Sequence, residues 1–427
     1  MTRPPGRATD RRVALVGFVA TLVVVAGCAG GPILAAPVVP SPTPRPASPS
    51  PAPPHDPRPI VLPADDGAHD RLTEWWYYTG HLQDASGAWY GFEDVIFRAE
   101  RGGLPVAWAS HLAITDAAGG RFLYAQRSEL GPQVDALATA TGAAAAAPGA
   151  DAATATEAAA TATRAAAAAG GARFAFDLTG ADPSRPETLA QPGWTMTGGD
   201  GHDRLVAALS PSEAATAGSA GGMGLDLRLD ATKPPVLHGG DGWIDFGAAG
   251  GSYYYSRTAM TATGTVTIDG QPRAVRGTAW FDHQWGDFIA VGGGGWDWFA
   301  LELDDSTELT LSLVRDQDGS YPLVYGTSVD PAGSATHLAA SDFRVDVTGH
   351  WTSPATGATY PAGWRIVVPS EGLDLFLVPV VADQELDTRA TTGVIYWEGA
   401  VTVSGTRAGQ PIAGRAYVEL TGYAGGG

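Results

Sequence analysis

The chain has 427 residues and a formal charge of −19, and Lys233 is its only lysine. A surface that neutralises nucleic-acid phosphates needs clustered Lys and Arg, so this balance excludes nucleic acid as a partner. The single cysteine, Cys28, excludes an intramolecular disulfide and any zinc centre built on thiolates, leaving stability to the core.

Residues 1–27 carry a basic start (Arg3, Arg7, Arg11, Arg12), an apolar run from Val13 to Val25, and the small residues Ala26 and Gly27. The run is shorter than the ~20 residues needed to cross a bilayer core, so a processed export signal is expected. Val25-Ala-Gly-Cys28 resembles the bacterial lipobox. The expectation is a cell-envelope lipoprotein, cleaved before Cys28 and held at the membrane surface by lipid on that residue, each buried methylene contributing about 0.8 kcal/mol. Residues 28–59 are rich in Pro, Ser and Ala and predict a semi-extended tether.

The remaining sequence is long enough for two domains and is patterned for β-structure almost throughout. Alternation over Trp75 to Leu82 sets Trp75, Tyr77, Thr79 and His81 on one face and Trp76, Tyr78, Gly80 and Leu82 on the other. Both faces carry aromatics, so both are expected to be buried. A turn at Gln83–Gly87 leads to a strand from Trp89 to Phe97. The tract 136–170 is almost wholly Ala, Thr and Gly and, with its threonines, glycines and Pro148, predicts a surface insertion. Asp269-Gly270 is a strong hairpin signal between Gly264–Ile268 and Val275–Phe281. Further hairpins are expected in Leu301–Leu313 and between Val394–Val403 and Arg415–Tyr423. Many short antiparallel strands point to barrels or sandwiches.

Glu74-Trp-Trp-Tyr-Tyr-Thr-Gly-His-Leu82, Tyr253-Tyr-Tyr-Ser-Arg257, Gly277-Thr-Ala-Trp-Phe-Asp-His-Gln-Trp-Gly286, Trp296-Asp-Trp-Phe-Ala-Leu301, Tyr396-Trp-Glu-Gly-Ala400 and Val418-Glu-Leu-Thr-Gly-Tyr423 resemble the signature stretches of the AttH-like lipocalins. That family takes in carotenoid 1,2-hydratase-like and predicted secreted hydrolase proteins. The resemblance implies an all-β fold of two tandem antiparallel lipocalin-like barrels, 60–250 and 251–427, joined near Gly240 to Tyr253, each with an interior sized for one small apolar ligand.

The sharpest chemical cluster is Trp280 to Asp287. On a strand, Asp282, Gln284 and Gly286 face one side, and Phe281, His283, Trp285 and Asp287 the other. Adding water to a trisubstituted alkene needs a proton donor, an electron-rich wall for the carbocation and a base that orients water. His283, or a carboxyl raised by apolar surroundings, suits the donor, and Trp285 the wall. The resemblance implies the same, because His283-Gln284-Trp285 matches a His-x-Trp implicated in activity in carotenoid hydratases. A Tyr-x-Asp pair of those enzymes has no counterpart, since Thr310-Leu-Ser312 falls there. Asp297, between Trp296 and Trp298, is a candidate for the missing carboxyl. The candidate catalytic residues are thus His283, Trp285, Asp282 and Asp297, and the candidate ligand-binding residues Trp75, Tyr77, Tyr255, Trp296 and Trp298. The alternative for His283 and Trp285 is a hydrogen-bonded corner of the sheet.

Glu74 is expected to pair with an arginine such as Arg98, and His81 and His111 to face each other from separate strands, with no spacing that resembles a metal set. No Gly-x-Ser-x-Gly elbow supports a hydrolase, and Gly292–Gly295 reads as a flexible turn. No metal and no cofactor are expected. The functional expectation is a membrane-anchored protein that binds an apolar, isoprenoid-like small molecule and hydrates it as a carotenoid 1,2-hydratase-type hydro-lyase, or else carries it without chemistry.

Overall fold

The computed structural model describes residues 56–137, 171–179, 193–288 and 294–424. The export signal, Cys28, most of the tether and nearly all of the 136–170 insertion lie outside the described residues.

Strands β1 (Thr73–Asp84), β2 (Trp89–Ala99), β3 (Ala107–Asp116), β4 (Arg121–Leu130), β5 (Phe174–Leu178), β6 (Trp194–Gly198), β7 (His202–Ala208), β8 (Met223–Ala231), β9 (Val236–Leu237), β10 (Trp243–Asp245), β11 (Gly251–Ile268) and β12 (Gln271–Gly286) form one sheet. Its path runs β4-β3-β2-β1-β12-β11-β8-β7-β6-β5, every pairing antiparallel. The two end strands come back to each other. Arg127 Nη1 donates to the Leu178 carbonyl at 2.9 Å, Thr179 N donates to Glu129 at 3.0 Å, and Asp135 bridges Phe176. The sheet therefore curls into a near-closed barrel, which removes its exposed edges.

The second sheet holds β13 (Gly295–Leu303), β14 (Glu308–Arg315), β15 (Leu323–Val329), β16 (Ala335–Ala339), β17 (Arg344–Val347), β20 (Trp364–Val368), β21 (Leu373–Pro379), β22 (Glu385–Asp387), β23 (Ile395–Arg407) and β24 (Gln410–Thr421), while β18 (His350–Thr352) and β19 (Thr359–Pro361) make a separate hairpin. The expected all-β pair of lipocalin-like barrels is what forms. The passage between sheets differs from expectation: it falls between Gly286 and Gly295, not near Gly240 to Tyr253. Long strands β11 and β12 belong to the first sheet because β12 pairs with β1 from Thr73↔Gly286 to Asp84↔Val275.

Local chemistry sets these elements. The β11–β12 turn closes with Ile268 opposite Gln271, and Asp269 and Gly270 take φ of 54° and 70°, the two positive values of a type I′ turn that matches strand twist. Each barrel is filled by large side chains, Trp76, Trp108 and Trp285 in the first and Trp364, Trp397 and Phe299 in the second. The ligand-sized barrel interior implied by the family is thus taken up by aromatic side chains. A third cluster, with Tyr77, Val95 and Trp280 from the first sheet and Trp298, Ala400 and Tyr417 from the second, packs the barrels against each other. This is why both faces of β1 are buried: one meets its own core, the other the neighbouring barrel.

Candidate active site between the two barrels

The alternation of β12 divides its residues between two environments. Phe281, His283 and Trp285 point into the first barrel, and Trp280, Asp282 and Gln284 point toward the second. On that outer side lies a cavity of about 350 Å³. Trp75, Tyr77 and Phe97 of the first sheet and Trp296 and Trp298 of the second wall it. The Trp298 ring stands edge-on to Tyr77, with centroids 5.4 Å apart, and to Trp280 at 6.2 Å. The pocket is aromatic, mostly apolar and set between the two sheets, which is the form of a small-molecule site.

Into this apolar wall the strands set acids. Asp282 accepts hydrogen bonds from Tyr254 Oη and Trp280 Nε1, both at 2.7 Å, and from Ser256 Oγ. Burial pushes its carboxyl up to about 6 even though these three donors favour the charged form. Across the cavity, Trp296 Nε1 donates to Glu419 Oε2 at 2.8 Å, and burial pushes Glu419 up to about 7, the charge of Asp282 adding to the rise. Glu93 accepts from Tyr396 Oη at 2.8 Å and Glu398 from Tyr77 Oη at 2.7 Å. Burial holds both well above the usual carboxylate range; the charges of Glu419 and Asp94 add to the rise at Glu93, and those of Glu93 and Glu419 to the rise at Glu398. Glu93 Oε2 and Glu398 Oε2 are buried without a hydrogen-bond partner. At neutral pH the cavity therefore presents Glu93 as a neutral acid and Glu419 near its midpoint, both able to donate a proton, against electron-rich rings, while Asp282 is largely ionised.

Of the residues singled out in the sequence, Asp282, Trp75, Tyr77, Trp296 and Trp298 meet at this cavity. His283, Trp285 and Tyr255 do not. His283 is fully buried in the first barrel, 4.6 Å by ring centroid from both Trp76 and Trp285, with Nε2 2.9 Å from Glu74 Oε1. Tyr255 points the same way and donates to Asp66. Asp297 faces the second barrel, where Arg315 and Tyr423 hold it.

Two pairings come out differently from expectation. Glu74 and Arg98 are cross-strand neighbours, yet Glu74 binds His69 Nδ1 at 2.7 Å and His283, while Arg98 turns to Glu100, Asp70 and the His69 carbonyl. The imidazoles reach the buried carboxylate from inside the barrel, and the longer guanidinium reaches its rim. His81 and His111 share the outer face but sit at different levels: His81 lies opposite Gly91, and His111 opposite Val95, so they do not face each other. His111 instead contacts Tyr396 Oη at 2.7 Å and Thr391 at 3.0 Å. Burial of these two rings drops both to about 3, so they are neutral.

Sequence reading missed Glu93, Glu398 and Glu419. A signal was present for two of them, since Glu398 and Glu419 are each a lone acid inside an apolar strand, as in Tyr396-Trp-Glu-Gly and Tyr417-Val-Glu-Leu, whereas Glu93 sits beside Asp94. Ser312, where the resemblance leads one to look for an acid, does line the cavity, and the acids come from other strands.

The AttH-like family profile matches residues 53–193 and 189–423. The chain belongs to the AttH-like family. A crystal structure of an AttH protein from Nitrosomonas europaea is similar with a TM-score of 0.65 and 28% identity, covering 87% of this chain and 99% of that one. Kievitone hydratase from Nectria haematococca shares the fold with a TM-score of 0.58 and 14% identity, over 85% of this chain and 93% of that one. No curated protein matches the chain.

Proposed function

We propose that this protein is a hydro-lyase that takes an apolar, isoprenoid-like alkene into the cavity between its barrels and adds water across the double bond. The observation that carries this reading is a pair of buried carboxyls on one aromatic pocket held differently, Asp282 by three hydrogen-bond donors and Glu419 by one, both pushed up by burial to about 6 and about 7. Unequal environments of this kind separate acid from base. Glu419, neutral, gives its proton to the less substituted alkene carbon. The tertiary cation that forms lies against the faces of Trp298, Trp296 and Tyr77. Asp282, ionised, takes a proton from the attacking water, and the product is an alcohol. Glu93, as a neutral acid on the cavity wall, hydrogen-bonds polar groups of the ligand, and Glu398 holds Tyr77 from behind. His283 and Trp285 act as positioning residues that fix β12 from the other side. Membership of the AttH-like family and the fold shared with a kievitone hydratase agree with this chemistry.

The reading extends to location: export, lipid on Cys28 and a tether over 28–59 hold the cavity near the membrane, from which an apolar substrate partitions. The test is kinetic. Asp282→Asn and Glu419→Gln are expected to lower turnover of an isoprenoid alkene by about 10²–10⁴-fold while ligand binding, followed by quenching of tryptophan fluorescence, stays within a few-fold. A wild-type protein that binds such ligands and hydrates none of them is a carrier, and the hydratase reading fails.

A further inference from the structure

We infer that the first barrel holds a divalent zinc-type ion on His69, Glu74 and His283, a centre separate from the cavity between the barrels. The three ligands come from the segment before β1, from β1 and from β12. His69 Nδ1 lies 2.7 Å and His283 Nε2 2.9 Å from the same oxygen, Glu74 Oε1, and the three ligand atoms all lie within 4.8 Å of one another. Two imidazole nitrogens and one carboxylate oxygen are the donor set of a His₂Glu zinc centre with a fourth position for water. Bond lengths to zinc of about 2.0–2.2 Å require neighbouring ligand atoms about 3.3 Å apart, so the two contacts of Glu74 Oε1, at 2.7 and 2.9 Å, open by about 0.4–0.6 Å to admit the ion.

The surroundings order His69 and Glu74 by hydrogen bonds and His283, whose Nδ1 is buried without a hydrogen-bond partner, by packing alone. Glu74 Oε2 accepts from the His69 backbone N–H at 2.9 Å, which leaves Oε1 directed at the two rings. The other ring nitrogen of His69 is 3.4 Å from Asp65 Oδ1, the carboxylate–histidine arrangement that orients a metal-bound imidazole. Asp65 is in turn fixed by the Val61 N–H at 2.7 Å. The rings cannot swing. His69 stacks flat on Trp285 with centroids 4.1 Å apart and planes 1° from parallel, and His283 is wedged between Trp76 and Trp285. Charge also favours a cation: Glu74 is a fully buried carboxylate facing the two rings, while Asp65 behind His69 is already paired with Arg58 at 3.2 Å. The side chains of Glu74 and His283 are fully buried, whereas that of His69 keeps 12% of its exposure and gives the ion an entry side.

The experiment uses the full chain purified without chelator. About one zinc per chain by plasma mass spectrometry, and visible d–d absorption after exchange to cobalt, are expected. Both are expected to fall at least tenfold in Glu74→Gln and in His283→Gln. His69→Gln, on the partly exposed segment, is the variant to rely on if either buried substitution fails to fold. Asp282→Asn keeps the metal while losing turnover, so the hydratase reading and the metal reading fail separately. A folded wild-type protein that retains no zinc and gives no cobalt spectrum overturns the inference, as does a His69→Gln protein that binds cobalt unchanged.

Discussion

At the scale of single residues the site depends on two acids whose protonation differs at one pH. Glu419 is pushed up to about 7 and Asp282 to about 6, both by burial. An enzyme that needs Glu419 protonated and Asp282 ionised works in the window between them. The expected kcat/KM profile is a bell centred between pH 6 and 7, its acid limb set by Asp282 and its alkaline limb by Glu419. Glu419→Gln should remove the alkaline limb together with most of the activity. A sigmoid with a single limb near pH 4 would rule out this assignment. Stability follows the same sign. Both groups have folded values above their ordinary ones, so their neutral forms favour the fold in acid, and stability falls as pH rises through about 6 to 7. Thermal melts at pH 5 and pH 8 measure it, with the higher melting temperature expected at pH 5 for this contribution. The difference should shrink in the double variant Asp282→Asn, Glu419→Gln.

At the scale of elements, β12 organises the molecule. It pairs with β1 on one side and β11 on the other, over nearly its whole length. Close approach of β1 requires glycine at position 277, where an added Cβ would sit 1.9 Å from the His81 carbonyl oxygen. Gly277→Ala is therefore expected to cost on the order of 1–3 kcal/mol, as overpacking does, and to lower the denaturation midpoint at an unchanged slope. A variant as stable as wild type would show that β1 and β12 can separate without penalty. Much of this element was legible in the sequence. Asp269-Gly270 marked the hairpin, and strict alternation put Asp282 and His283 on opposite faces. What alternation could not reveal was which face meets the ligand. A strand with one wet side betrays its core side by polarity, but β12 is buried on both sides. His283 and Asp282 therefore both stood as reactive candidates, and only Asp282 lies at the cavity. The placement of β11 and β12 was hidden for a related reason: a long-range pairing with β1 leaves no local trace after a glycine-rich run such as Gly247 to Gly251.

At the scale of the whole molecule, the two barrels work as solid bodies and the space between them as the vessel. Their interiors are packed with tryptophan, so the lipocalin fold here supplies walls. A cavity of about 350 Å³ suits a compact molecule. It lies near the lower end of the range of about 300–1,000 Å³ common to small-molecule sites. A forty-carbon polyene cannot be enclosed whole, and compact terpenoids should bind more tightly than full-length carotenoids in a fluorescence titration. Equal affinity for both would require a larger chamber than this one. Filling the space from the second barrel should have the same effect. Ser312→Trp is expected to abolish uptake while the circular dichroism spectrum and melting temperature stay close to wild type, because Ser312 lines the cavity and contributes little to either core.

The division of β12 between two environments also bears on how such a protein changes over time. Alternate positions along one strand answer to different demands. The inward set is constrained by a dense cluster of rings and imidazoles, and the outward set by whatever molecule occupies the seam. Chemistry can be rewritten at outward positions such as Gln284 while the inward packing stays as it is, so two relatives with the same inward residues can act on unrelated compounds.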